Sequence, residues 1–223
     1  VLSMLGILRI VAGAHGMFRR DVLDRLHGWD VGPGLDGDIT LKIRKLGYRV
    51  VHEPHAICYT NVPVSPFKLA KQRYRWDRSL IRFRVRKHVD LLKPSANFKF
   101  ANFIASVDNL FFNLLLDVKW WIYIGQVFFF HAAMLEYIFV INFILYMLAN
   151  LLEFLVARSL FADTARRQDK WLILLIPLMP LYTGLFIRVV RTYGYLMEAL
   201  HRTSYSDQWN PWKVSKVAKR ERL

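Results

Sequence analysis

Two carboxylates two residues apart, Asp36 and Asp38, flank Gly37 at the end of a loop rich in Gly and Asp that begins at Trp29. A carboxylate held exposed by glycine can accept a proton from a hydroxyl or help to hold a divalent cation. The competing reading is helix capping, with Asp38 preceding an apolar face made by Ile39, Ile43 and Leu46. Gln72-Arg73-Tyr74-Arg75-Trp76 follows Ser65-Pro66, a cap residue before a proline that opens a helix. Gln72, Arg75 and Trp76 fall at i, i+3 and i+4 and share a face. That face offers an amide, a guanidinium that can fork onto phosphate oxygens and an indole that can stack on a sugar ring. Its competing reading is a membrane-surface helix with snorkelling arginines. His52-Glu53-Pro54-His55 lacks the His-Glu-x-x-His spacing, and its proline blocks the helix that such a zinc site requires, so no metal is expected there. Gly13-Ala14-His15-Gly16 is a small-residue turn that lets a backbone or a ligand approach closely.

The elements that must position these groups alternate. Ile7 to Val11, Tyr48 to Val51 and Ala56 to Tyr59 read as short strands. Arg19 to Leu26 reads as a helix with Val22, Leu23 and Leu26 inward and Gly28 at its end; a second helix starts after Asp38 and stops at Gly47. This order predicts an α/β unit with too few strands for a complete sheet, followed by an α-helical membrane region.

The chain has 223 residues, 54% hydrophobic and 15% aromatic, with 32 Lys+Arg against 17 Asp+Glu and a net charge of +15. With a mean hydropathy of +0.21, this pairing suits work at an anionic membrane surface. A nucleic-acid binder has no use for long runs of Phe, Leu and Ile, and disorder is excluded by the same composition. One cysteine, Cys58, excludes an internal disulfide and a multi-cysteine zinc site.

Trp120 to Leu135 and Tyr137 to Leu152 contain no Asp, Glu, Lys or Arg, and Glu136 alone separates them. Full spans are predicted at about 110 to 135 and 137 to 158, enough to cross roughly 30 Å of hydrocarbon. Trp171 to Ile187 is also uncharged, but Pro177 and Pro180 predict a re-entrant or interfacial element. Lys68 to Lys87 holds nine Lys/Arg; Arg166, Arg167 and Lys170 form a basic loop, and Lys213, Lys216, Lys219, Arg220 and Arg222 a basic tail. The positive-inside rule puts all three on the cytoplasmic side of a multi-pass plasma (inner) membrane protein. Asn97 to Val118 reads as an amphipathic surface helix, Trp120, Trp121 and Tyr123 as an interfacial belt, and Asn142 and Asn150 as helix–helix glue. Val1 to Val11 lacks the features of a signal peptide, so the chain is expected to be the C-terminal portion of a longer protein.

Taken in order, Gly-Ala-x-Gly-x-Phe-Arg-Arg (Gly13 to Arg20), Gly-Trp-Asp (Gly28 to Asp30), Asp-x-Asp-Ile-Thr-Leu-Lys-Ile-Arg (Asp36 to Arg44), Gly-Tyr-Arg-Val (Gly47 to Val50), Glu53-Pro54, Val62-Pro63 and Gln-Arg-x-Arg-Trp (Gln72 to Trp76) resemble the membrane-bound family 2 glycosyltransferases. These include the cellulose, chitin, hyaluronan and poly-N-acetylglucosamine synthases. The resemblance implies the C-terminal part of a GT-A-type domain over 1–92, an interfacial helix over 93–118, transmembrane helices over 119–190 and a basic cytoplasmic tail over 191–223.

It also implies inverting transfer from a nucleotide sugar, usually a uridine diphosphate sugar, to a growing glycan or lipid-linked acceptor, with membrane lipids as partners and no nucleic acid. Asp36 matches the family's general base. Gln72, Arg73, Arg75 and Trp76 would line the donor and acceptor site, with Arg75 on the diphosphate; Asp38, Gly13, Ala14 and His15 would be further substrate contacts. Mg or Mn would be bound mainly by residues not in this chain. Leu35 stands where the family has glutamate, and the family's uridine-binding segment and Asp-x-Asp metal motif would precede Gly13. Little activity is therefore expected of these residues alone. The alternatives are a non-processive glycolipid-forming transferase and an inactive membrane scaffold or truncated remnant.

Overall fold

Helices capped by glycine and serine organise the chain around the acidic loop. The computed structural model describes residues 7–8, 10–30, 32–53, 55–94, 98–160 and 167–207. Arg166 and the tail beyond residue 207, both used in the orientation argument, lie outside the described residues, as does Pro54. Described residues up to Leu115 and from Arg191 onward form one compact unit, and Leu116–Val190 forms another.

In the first unit, α1 (Arg20–Arg25) ends when Gly28 N–H bonds Leu23 C=O at 3.1 Å and His27 N–H bonds Asp24 C=O. α2 (Leu35–Lys45) ends in the same way, Tyr48 N–H bonding Ile43 C=O at 3.2 Å and Gly47 N–H bonding Arg44 C=O at 3.1 Å, with Gly47 at φ 91°. This paired closure satisfies the last carbonyls of each helix. Val22, Leu26, Ile39, Ile43 and Val50 then bury together, with Tyr48 packed on them. Leu46 lies outside that core and is 46% exposed, against the sequence expectation.

α3 (Pro66–Ser79) opens as read from the sequence, the Ser65 hydroxyl accepting Lys68 N–H at 3.2 Å ahead of Pro66. It runs into a widened π-helical segment, Leu80–Lys87, and a 3₁₀ turn, Val89–Leu92. Leu41, Phe83 and Leu91 form a second buried cluster.

The α/β expectation is overturned: no β-strand occurs among the described residues. A strand needs a neighbour with a regular ladder of backbone bonds. No such ladder joins the three segments read as strands; instead, side chains of α2 satisfy backbone groups of the first. Val11 N–H donates to the Thr40 hydroxyl at 2.9 Å, and Arg44 donates to Leu8 C=O at 3.1 Å. The GT-A-type sheet implied by the resemblance is likewise absent among the described residues.

α4 (Phe100–Leu110) continues through a π-helical turn, Phe111–Leu115. Its polar and small residues Asn102, Ala105 and Ser106 are buried, whereas Phe100, Ile104, Val107, Phe111 and Phe112 are exposed. Apolar groups outward and polar groups inward is the arrangement suited to a lipid surround.

In the second unit are α5 (Leu116–Phe130) and α6 (Leu135–Leu160). Phe100–Phe130 and Ala132–Ser159 are each long and apolar enough to cross a membrane. Trp171–Leu178 and the helical run from Pro180 form a pair bent by 42°, consistent with the kink read from Pro177 and Pro180. Asn142 donates to Ile138 C=O within α6 and to the Tyr123 hydroxyl of α5, as glue would, whereas Asn150 bonds only Tyr146 C=O of its own helix.

α7 (Ile187–His201) enters the first unit at Arg191, and a 3₁₀ turn (Thr203–Ser206) follows it. There it consumes much of the basic stretch. Arg78 pairs with Asp207 at 2.6 Å, Arg82 donates to Ser204 C=O, and Arg86 pairs with Glu198 at 3.0 Å. Glu198 is fully buried and also accepts from the backbone N–H and the hydroxyl of Ser204. Replacing Glu198 by Ala removes the carboxylate from Arg86 Nη1 and leaves the buried Ser204 donors unsatisfied, although Arg86 keeps its bonds to the Glu198 and Ala199 carbonyls. The expected loss is about 3–5 kcal/mol, seen as a lowered unfolding midpoint of the detergent-solubilised protein; an unchanged midpoint contradicts this role.

Candidate active site

α2 starts four residues earlier than its sequence suggests. Gly34, at φ 77°, is the residue before the first turn, so Asp36 and Asp38 both lie within the helix and Asp38 is not its cap. Only glycine fits here: a Cβ on Gly34 would overlap the side chain of Ser79, and one on Gly37 would sit 2.7 Å from the Phe83 ring. α2 thereby packs its first turn directly against the junction of α3 and the π-helical segment.

Asp36 is half-buried and approached closely by the Gly13 turn, where an added Cβ would lie 2.5 Å from the carboxylate. The Thr40 hydroxyl donates to Asp36 C=O at 2.6 Å while accepting Val11 N–H, which ties the turn to the helix. Burial raises the Asp36 pKa, and hydrogen bonding from the Gly13 backbone opposes the rise.

A cleft of about 800 Å³ is lined by Gly13, Ala14, Asp36, Arg75 and Trp76. Five of the expected site residues therefore meet there, although α3 lies far from Asp36 in sequence. Trp76 is 46% exposed. Asp77, Arg84, Asn109, Asn113 and Tyr195 also line it. The two asparagines continue a polar stripe, Asn102, Ser106, Asn109 and Asn113, at helical spacing on an apolar helix. That stripe was a readable signal; Tyr195, whose hydroxyl donates to Asn113 C=O at 3.2 Å, had none.

The remaining expected residues lie elsewhere. Gln72 and Arg73 do not line the cleft; the Arg73 guanidinium stacks over the Trp76 ring at 5.2 Å, behind the face that was read from the sequence. His15 lines a separate cleft of about 680 Å³ with Tyr48 and Cys58, and Ile10, Ala12 and Ala14 form the wall shared by the two. A third cavity, of about 300 Å³ and almost wholly apolar, is confined to the second unit. No Asp, Glu, His, Lys or Arg lines it.

Asp38 turns away from the cleft into a buried ion network. Its carboxylate bonds His88 Nε2 at 2.8 Å and Lys87 Nζ at 2.9 Å; Asp30 in turn holds Lys42 and Lys87, each at 2.6 Å. Burial alone would raise the Asp38 pKa, but His88 and Lys87 outweigh it and hold the group well below the usual carboxylate range. Burial pushes His88 down, so its Nε2–H donates as neutral imidazole. No three His, Cys, Asp or Glu side chains among the described residues converge on one point.

A family model described as "Glycosyl transferase family group 2" matches residues 3–206. Neither a curated protein nor a solved structure matches the chain.

The two carboxylates should respond oppositely to removal of charge. A raised folded pKa means that ionised Asp36 opposes folding at neutral pH, so Asp36→Asn leaves the unfolding midpoint unchanged or higher. A depressed one means that ionised Asp38 supports folding above the unfolded pKa, and Asp38→Asn costs about 3–5 kcal/mol. Thermal melts of both variants at pH 7 check this; equal shifts contradict it.

Proposed function

The chain belongs to the glycosyl transferase family group 2, and from that premise we propose that its cleft is the acceptor side of an inverting transfer from a nucleotide sugar to a glycan at a membrane. Asp36 is the general base. As the acceptor hydroxyl oxygen bonds to the anomeric carbon, the bond from that carbon to the diphosphate oxygen breaks and the hydroxyl proton passes to the Asp36 carboxylate. Arg75 offsets the charge that develops on the departing diphosphate, and Trp76 stacks against a sugar ring.

The observation that carries this reading is the half-buried Asp36 carboxylate, its pKa raised, in one cleft with Arg75 and Trp76. A base is most effective when its pKa moves toward the operating pH while the group stays ionised. The exposed indole of Trp76 favours a saccharide acceptor. Two helices long and apolar enough to cross a membrane support work at a bilayer, and the basic segments favour the cytoplasmic side for the cleft.

In the full-length, membrane-embedded protein, Asp36→Asn should lower kcat for nucleotide-sugar turnover about 10²- to 10⁴-fold with donor KM nearly unchanged; turnover within a few-fold of wild type removes Asp36 from this role. Because the base must be deprotonated and burial raises its pKa, the acid limb of the rate profile should lie above the ordinary carboxylate range. Cys58 is exposed and the chain's sole cysteine, so a membrane-impermeant maleimide should label it in inside-out vesicles but not in intact cells. The reverse pattern would invert the orientation.

A further inference from the structure

The turn that carries Asp36 lacks the usual means of fixing a helix start. The first amides of a helix have no partners within it, and a side-chain cap normally supplies one. Here the cap position is Gly34, which has no side chain to offer. Leu35 N–H bonds Gly32 C=O at 3.2 Å and Gly37 N–H bonds Gly34 C=O at 3.1 Å, so the first turn is held by backbone bonds without a side-chain cap, and the buried ion network is attached to it at Asp38. Two residues apart on a helix, Asp36 and Asp38 point in different directions. Fixing one therefore sets the rotation of the other.

We propose that Lys87 and His88 are positioning residues for the transfer reaction, holding Asp38 so that Asp36 faces the cleft; this rests on the general-base reading above. The contacts are direct. Asp38 and His88 are 2% and 1% exposed at the side chain, and Lys87 joins Asp38 to Asp30 with bonds of 2.9 and 2.6 Å. Lys42, one turn along α2, bonds Asp30 at 2.6 Å, so the α2 side of the network is braced from the loop before it. His88 contributes one bond and no more: its buried Nδ1 has no partner among the described residues. Among the described residues, Asp38 is the one hydrogen-bond partner of the imidazole ring, and Asp38 is bonded by it and Lys87, with Lys42 Nζ a further 3.9 Å away. When this clamp is removed, the uncapped turn frays, Asp36 gains water, and its orientation toward the acceptor is lost.

The test uses the membrane-embedded protein, with rates normalised to folded protein, and compares His88→Leu, His88→Gln and Lys87→Met with wild type. His88→Leu should lower kcat at least tenfold while donor KM changes less than about threefold. His88→Gln, which keeps an N–H donor, should restore most of the rate. The acid limb of kcat should move toward lower pH in His88→Leu, since a loosened Asp36 relaxes toward an ordinary carboxylate. The charged groups facing Asp36 across the cleft, Arg75, Asp77 and Arg84, are unaltered in every variant.

Should His88→Leu fail to fold, Lys87→Met carries the same expectations for rate and acid limb, because Lys87 is partly exposed and its loss leaves His88 in place. Wild-type kcat and acid limb in the folded variants overturn the proposal. So does a rate loss that vanishes on normalisation while the acid limb stays fixed. Turnover that survives Asp36→Asn would instead sink the general-base reading and this inference with it, whereas an inactive Asp36→Asn beside a normal His88→Leu sinks the clamp alone.

Discussion

A carboxylate with almost no access to water must be matched by charge or abandoned, and the first unit is arranged around one that is matched. Taking such an ion out of water costs several kcal/mol even after relaxation. Asp38 meets that cost with Lys87 and His88, and Asp30 does so with Lys42 and Lys87. Two carboxylates face two ammonium groups and one neutral imidazole, so the buried network carries no formal net charge. Its members come from the loop before α2, from α2, and from the end of the π-helical segment. Closing the pairs sets the register of all three. Apolar packing is non-directional and would allow Leu41, Phe83 and Leu91 to cluster with α2 rotated; the ion pairs would not. The contacts at Gly34 and Gly37 follow, because in this register α2 comes too near Ser79 and Phe83 for any Cβ.

The same logic explains where the positive charge of the chain goes. A stretch with nine Lys/Arg reads as a solvated or lipid-facing surface, yet Arg78, Arg82 and Arg84 are buried. Glu198, Asp207 and the Ser204 carbonyl answer three of its guanidiniums from the far end of the chain. Arginine suits this use because its fork bonds two or three oxygens at once, as Arg86 does with Glu198 and Ala199. The exposed cations of the stretch are therefore Lys68 and Lys71, in the early turns of α3. α4 shows the complementary pattern, with phenylalanines outward and amides inward. Its inward amides at Asn109 and Asn113 reach the cleft, so the helix that suits lipid on one side contributes polar lining on the other.

Local signals were legible wherever the determining interaction was local. Ser65-Pro66, Gly28 and Gly47 each close a helix end through neighbours a few residues away, and each reads correctly. The strands failed because extended, β-branched segments specify an appetite for partners, not the partners themselves. Ile7 to Val11 found Thr40 and Arg44 instead of another strand. The start of α2 was misjudged for a related reason: Asp38 is a good cap by type, but its carboxylate is engaged by residues about fifty positions later. The cleft was partly legible. Asp36, Arg75, Trp76, Gly13 and Ala14 are brought together as their types suggested, while Gln72, Arg73 and His15 are not. The i, i+3, i+4 rule gives a shared face and leaves open which edge of it meets the cavity.

Asp36 and Asp38 show why residue type alone does not assign a role. They share a turn, a chemistry and a spacing, yet their environments push them apart: burial raises one, and its cationic and imidazole partners depress the other. A carboxylate already held by Lys87 and His88 is a poor base, because accepting a proton would forfeit both bonds. One held only by a glycine backbone gives up little on protonation, and the proton it accepts relieves part of its burial. The stability that Asp38 supplies is what permits Asp36 to remain poorly satisfied in the same turn. A turn with two well-paired carboxylates would be more stable and inert; a turn with none would not stay folded against the cleft.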